Sequence, residues 1–234
     1  MTDRPVAIVT AASRGIGAAC ARALASRGYR LALMARSERI DALAGELGAV
    51  STRGSVDSAA DLAALVDRAL SEYGRIDAVV NNTGHPGKGE LLGLEDSAWQ
   101  EGFALILQSV LRMARLVTPV FLRQGEGAVV NISSLWAPEP SLDAPISSTL
   151  RASLSSFTKL YADRYAADRI RMNCLLAGFV DTHPVPEKFA KAIPMARIAR
   201  PEEVAGVAAF LLSADASYIT GQSLRADGGM TRSF

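Results

Sequence analysis

Short apolar runs rich in valine, isoleucine and leucine alternate along this chain with longer stretches of helical period, and that alternation constrains the fold more than any other feature. Val6–Thr10 (VAIVT), Arg30–Ala35 (RLALMA), Ile76–Asn81 (IDAVVN), Ala128–Ser133 (AVVNIS) and Ile170–Leu176 (IRMNCLL) read as strands. Their near-continuous apolarity suits a sheet covered on both faces. Helices between successive strands supply right-handed crossovers, so the strands should run parallel. A late strand near QSLRAD (222–227) closes one edge. The expected fold class is α/β, a doubly wound parallel sheet with helices on both faces. No repeat, low-complexity tract or linker divides the chain, so residues 1–234 are expected to form a single domain. With 49% hydrophobic residues, a sizeable core is available.

Charge excludes some partners. The formal net charge is +1, from 25 basic and 24 acidic residues spread without blocks, which makes nucleic acid and anionic membrane poor partners. The N-terminus enters an apolar strand within five residues and lacks a signal-peptide pattern. No apolar run is expected to reach the ~20 residues of a spanning helix, and a cytoplasmic location follows as the expectation. Cys20 and Cys174 sit in apolar runs rather than at ligand spacing. They read as buried thiols, and no metal site is expected.

In an open sheet of this kind ligands bind beyond the carboxyl ends of the strands. Directly after the first strand comes TAASRGIG (10–17), in which Gly15 and Gly17 open an Ala-rich helix ending near Gly28. Backbone amides there can approach a pyrophosphate, and the positive end of the helix can hold it. A tight turn with close helix packing is the alternative.

This turn resembles the T-G-x-x-x-G-x-G element of the short-chain dehydrogenase/reductase family, with Ala11 in place of the first glycine. Further matches follow in order: NNTG (Asn81–Gly84) for N-N-A-G, NISS (131–134), AGFVDT (Ala177–Thr182) for P-G-x-x-x-T, and YITGQSLRADGG (Tyr218–Gly229). The resemblance covers essentially the whole chain, is strongest to members like 3-oxoacyl-ACP reductases, and implies a Rossmann-like domain. It also implies a dinucleotide held by Thr10, Ser13, Arg14, Gly15, Ile16, Gly17, Arg36, Ser37, Asn81, Gly84, Val180 and Thr182. Where a carboxylate after the second strand would accept the ribose hydroxyls of NAD, this chain places Arg36 and Ser37, with Arg14 in the first turn. Two guanidinium groups suit a 2′-phosphate, so NADP is the expected cofactor; the alternative is that Arg36 merely caps a strand on the surface. The family's adenine-contacting aspartate position is occupied by Ser55, with Asp57 offset from it.

The same resemblance implies a catalytic serine, tyrosine, lysine and asparagine. Ser134 precedes Ser147 by thirteen residues and Phe157 follows it by ten, which puts Ser147 at the tyrosine position and Arg151 at the lysine position. Counting seven from Trp99 puts Ile106 at the asparagine position. Ser134, Ser147 and Arg151 are therefore the candidate catalytic residues of an atypical site. Tyr161 and Lys159 lie about 21 and 18 Å beyond Ser147 along one helix, too far to substitute. An aliphatic hydroxyl is a much poorer acid than a phenol, and a guanidinium donates hydrogen bonds without relaying a proton.

His85 and His183 follow strand ends that should frame the nicotinamide, and each is either a proton carrier or a solvated loop residue. Glu139 and Asp143 before the catalytic helix are either catalytic or solvated, and Trp136 either packs or lines a substrate pocket. Three functions stay open. The first is an NADP-dependent oxidoreductase acting on a small carbonyl or alcohol substrate. The second is a non-redox lyase or dehydratase using Arg151 to bind an anion. The third is a catalytically inactive, NADP-binding regulatory protein. Halohydrin dehalogenases share the serine and arginine but keep the tyrosine and rebuild the glycine turn, which argues against dehalogenation. The apolar helices around 103–122 and 153–166 are expected to pair in a homodimer or homotetramer.

Overall fold

The computed structural model describes residues 4–233. Seven strands form one sheet in the order β3-β2-β1-β4-β5-β6-β7, with every adjacent pair parallel. They are β1 Val6–Val9, β2 Arg30–Ala35, β3 Val50–Arg53, β4 Ala78–Asn81, β5 Gly127–Ser134, β6 Ile170–Ala177 and β7 Ser223–Ala226. The doubly wound sheet is as expected, including β7 at one edge. The strand at the other edge, β3, was not anticipated. Its sequence VSTR is only partly buried and carries one apolar residue, so it lacks the continuous apolar signature of the others.

Helices α1 (Gly15–Ser26), α2 (Arg39–Leu47) and α8 (Pro201–Leu212) cover one face of the sheet. Alanines at 18, 19 and 21 let α1 approach α8 and the sheet closely. Helices α3 (Ala59–Tyr73), α5 (Ser109–Gln124) and α6 (Pro145–Tyr165) cover the other face, around Phe121, Met113, Leu65 and Val129. Helix α3 begins at Ser58, whose hydroxyl accepts the Asp61 N–H, and ends at Gly74 in a left-handed conformation that only glycine adopts without strain. Short helices α4 (Asp96–Phe103) and α7 (Glu187–Ala190) flank the carboxyl edge.

One sequence expectation needs correction. Asp96–Gln124 forms a continuous helical run of 29 residues, long and apolar enough by composition to cross a membrane. Its apolarity serves the core instead: half of its most apolar 18-residue window is buried, with Val110, Met113, Val117 and Phe121 packed in the core. A π-helical turn at Ala104–Gln108 joins α4 to α5 and includes the buried Ile106.

A buried polar chain ties four elements together beneath the carboxyl edge. Asn81 on β4 donates its side-chain amide to Asn131 Oδ1 on β5 at 2.8 Å, and Asn131 donates to Thr158 Oγ1 on α6 at 2.9 Å. Thr158 in turn lies 3.2 Å from the Cys174 thiol on β6. Removing a middle member strands its neighbours without partners in a low-dielectric interior. Asn131→Ala should therefore lower stability by about 2–4 kcal/mol, read as a drop in urea midpoint at unchanged m-value. An unchanged midpoint would show that the chain is dispensable.

Candidate active site

The site lies where strand order reverses, between β1 and β4. Thr10 Oγ1 donates to the Asn82 carbonyl at 2.7 Å and accepts the Asn82 N–H at 2.9 Å, while Asn82 Nδ2 donates to the Ala11 carbonyl at 3.2 Å. The turn after β1 is thus stitched to the loop after β4. Gly17 fits against this stitch because a Cβ there would strike the Ala11 carbonyl oxygen and come within 2.8 Å of Asn82 Nδ2. Gly15 takes φ +56°, and a Cβ on it would meet Thr182 Cγ2 at 2.9 Å, which brings the loop after β6 onto the same turn. Ala11 itself has φ +46°, a left-handed conformation unfavourable for a residue with a Cβ.

Arg14 caps α1 with extended backbone and no side-chain hydrogen bond, and the first turn contains no acid. The leading N–H groups at Gly15, Ile16 and Gly17 are consequently open to an anion. Ser13 lies half-buried beside them. Thr83 Oγ1 is buried without a hydrogen-bond partner on the opposite wall. A glycine cradle, open helix amides and an orphaned hydroxyl suit a nicotinamide dinucleotide. At the end of β2, Arg36 and Ser37 are exposed, and neither Arg14 nor Arg36 forms an ion pair among the described residues. Gly84 lies open to solvent after β4. Val180 is buried and bridges to Ala199, which positions Thr182. Asn81 reaches the site only as a pocket wall, since its amide is engaged within the sheet. The neighbouring Asn82 faces the turn, a role the sequence reading did not single out.

Ser147 and Arg151 sit one turn apart on α6, both buried. Arg151 Nε donates to Ser147 Oγ at 3.1 Å and Nη1 to the Ile132 carbonyl on β5 at 2.9 Å. Two residues further along β5, Ser134 Oγ accepts the Trp136 N–H at 3.2 Å. The three candidate catalytic residues are thereby gathered at one end of β5. Desolvation lowers the Arg151 pKa to about 10, so the guanidinium stays charged at neutral pH. Thr10, Asn81, Asn82, Thr83, Ile132 and Arg151 line a narrow pocket.

Tyr161 and Lys159 are engaged elsewhere. Tyr161 packs in the core at 2.6 Å from Thr118 Oγ1, and exposed Lys159 pairs with Asp163. Asp143 pairs with Lys188 at 2.9 Å, and Glu139 accepts the N–H groups of Arg232 and Ser233 at 2.5 Å each. Both acidic side chains are therefore committed to loop contacts. Trp136 packs edge-on to Phe179 and Phe189, which stack on each other at 4.7 Å. This aromatic cluster walls the site beside Ser134.

The two histidines, far apart in sequence, meet across the loops after β4 and β6, with ring centroids 5.0 Å apart in a T-shaped arrangement. His183 Nδ1 lies 2.9 Å from Thr182 Oγ1. Although its outer edge is exposed, the His85 ring is pushed down to a pKa of about 4, first by desolvation and then by the positive charge of Arg151, His183, Lys88 and Arg14.

The family model described as enoyl-(acyl carrier protein) reductase matches residues 10–231. The chain belongs to the short-chain dehydrogenase/reductase family. A cis-4-hydroxycyclohexanecarboxylate dehydrogenase from Sinomonas cyclohexanicum is 36% identical over 240 residues, covering 97% of this chain and 96% of the relative. Among solved structures, a 3-ketoacyl-(acyl-carrier-protein) reductase from Brucella melitensis complexed with NADH superposes with a TM-score of 0.92 at 30% identity, covering 97% of this chain and 98% of the other. An L-sorbose reductase from Gluconobacter frateurii complexed with NADPH and L-sorbose gives 0.89 at 28% identity, covering 99% and 98%. These structures share the fold and hold NADH or NADPH, and a nicotinamide dinucleotide is the cofactor class of this short-chain dehydrogenase/reductase.

The geometry of the site makes two predictions. Ala11→Gly relieves left-handed strain of about 1–2 kcal/mol while adding about 0.4–1 kcal/mol of unfolded-state entropy, so the urea midpoint should rise or hold. A lower midpoint would contradict the strain. For His85, the folded pKa lies near 4, below the ordinary value of 6.5, so the unfolded chain binds the proton first as pH falls. Stability should decline between about pH 6.5 and pH 4. His85→Gln should flatten that decline in urea titrations across the same window, and an unchanged slope would contradict the shift.

Proposed function

We propose that this protein is an NADP-preferring oxidoreductase that interconverts a small carbonyl compound and its alcohol in an atypical active site. The observation that carries this reading is the turn after β1, where the Gly17 cradle and open α1 amides face the stitched loop after β4. The preference for the phosphorylated nucleotide rests on Arg14 and Arg36, two guanidiniums without an ion pair among the described residues, at positions suited by the family resemblance to a 2′-phosphate. Relatives support redox chemistry on secondary alcohols and ketones, as the names of the hydroxycyclohexanecarboxylate dehydrogenase and L-sorbose reductase state.

A bound nicotinamide dinucleotide supplies or accepts the hydride. The chain's own residues orient the substrate and handle the proton. Ser134 and Ser147 offer hydroxyls at the end of β5, and Arg151 holds the Ser147 oxygen in place. Without a phenol, the proton passes through water held by the two serines or through the His85 ring. Loss of a positioned phenol forfeits about 10²–10⁴ in rate, so turnover slower than that of family members with the tyrosine is expected. In this reading two copies pair through the long helices α5 and α6, which leave Leu122 and Leu160 exposed in the single chain.

The test is a fluorescence titration with NADPH and NADH. NADPH should bind more tightly than NADH, and an Arg14→Ala, Arg36→Ala double variant should lose that preference by roughly tenfold or more. Equal affinity for both nucleotides in the parent protein would refute the NADP preference, and no binding at millimolar nucleotide would refute the redox reading.

A further inference from the structure

Among the described residues Arg151 is the only arginine buried outright, and its charge is met differently from that of two partly buried ones, Arg171 and Arg75. Arg171 spends its guanidinium on three carbonyls, Leu211 at 2.8 Å, Ile219 at 3.2 Å and Ser213 at 3.1 Å, and so pins β6 to the end of α8. Arg75 pairs with Asp77 at 2.6 Å. Arg151 is only 5% exposed, yet it has one carbonyl, one hydroxyl and no carboxylate, and its Nη2 makes no hydrogen bond among the described residues. Burying a cation without a counter-charge costs several kcal/mol. Such a group is stabilised once a ligand brings the missing charge.

Its surroundings point the same way. Arg151 lines the pocket described above, and the charged groups that bear on His85 are Arg151, His183, Lys88 and Arg14, all basic. The nearby acids are already engaged, Asp143 by Lys188 and Glu139 by backbone N–H groups. The phosphates of a dinucleotide have their own receptor at the first turn of α1. The anion that Arg151 awaits therefore belongs to another molecule.

We propose that Arg151, with Ser147 beside it, receives a carboxylate carried by the substrate. A carboxylate fits better than a phosphate ester. The arginine has a single uncommitted nitrogen and is the one charged residue in the pocket lining, so its single positive charge matches a monoanion rather than a dianion. Replacement of a phenol and ammonium by a hydroxyl and a guanidinium would thus have turned proton machinery into a grip on the substrate's acid group. Naming the ligand a substrate rests on the oxidoreductase reading; binding of the carboxylate does not.

Calorimetric titration of the purified protein with propionate, propionamide and inorganic phosphate, at fixed ionic strength and with or without saturating NADPH, tests this directly. Propionate should bind and the isosteric amide should not, a comparison that needs no variant. Arg151→Gln, checked for folding by its circular dichroism melt, should weaken propionate by roughly tenfold or more, and Arg151→Lys should restore part of the loss. Equal binding of acid and amide, phosphate binding tighter than propionate, or undiminished propionate binding by a folded Arg151→Gln protein would each overturn the proposal. NADPH binding without propionate binding would sink this inference and leave the proposed function intact. Propionate binding without NADPH binding would uphold the anion site and sink the redox reading.

Discussion

The reciprocal hydrogen bonds between Thr10 and Asn82 hold together everything that faces a ligand in this protein. They join the ends of β1 and β4 at the point where strand order reverses, and they leave no room for a side chain at Gly17. Because the stitch uses main-chain groups and one short hydroxyl, it places the first turn of α1 without obstructing the approach to its amides. Thr182 then settles on Gly15, so the loop after β6 takes its position from the same turn. Three loops distant in sequence are registered against one another by a handful of contacts.

Below this junction, the chain from Asn81 through Asn131 and Thr158 to Cys174 fixes α6 on the sheet. Helix α6 carries Ser147 and Arg151, and Arg151 returns a hydrogen bond to the Ile132 carbonyl on β5. A fully paired polar network inside an apolar core restricts the helix to one placement. That precision matters for a charged side chain buried without an acid, since a small shift would leave its remaining bonds unmade.

Much of this was legible in the sequence for physical reasons. Strands buried on both faces announce themselves as continuous apolar runs, and the glycine turn shows itself because only glycine tolerates the close approach at position 17. Edge strand β3 was not legible, since a half-exposed strand such as VSTR need not be apolar. The long run through α4 and α5 read as too short to span a membrane, because charges at its ends and Arg112 and Arg115 within it break the apolar pattern that the folded helix restores on one face. The meeting of His85 with His183 and the missing acid around Arg151 could not be read either. Both depend on loops that only the tertiary fold brings together. The distinction between Asn81, turned into the sheet, and Asn82, turned toward the cradle, likewise emerges only once the register of β4 is known.

The account stands or falls on whether redox chemistry survives in a site with serine and arginine where a phenol and an amine are expected. The most direct measurement is single-turnover transfer of deuterium from reduced, deuterium-labelled nicotinamide nucleotide to a panel of small ketones and oxo acids, followed by mass spectrometry of the alcohol formed. The account predicts label on the carbinol carbon, with oxo acids labelled ahead of their neutral analogues. Saturated nucleotide binding with no label in any alcohol would contradict it and leave a binding protein in place of an enzyme.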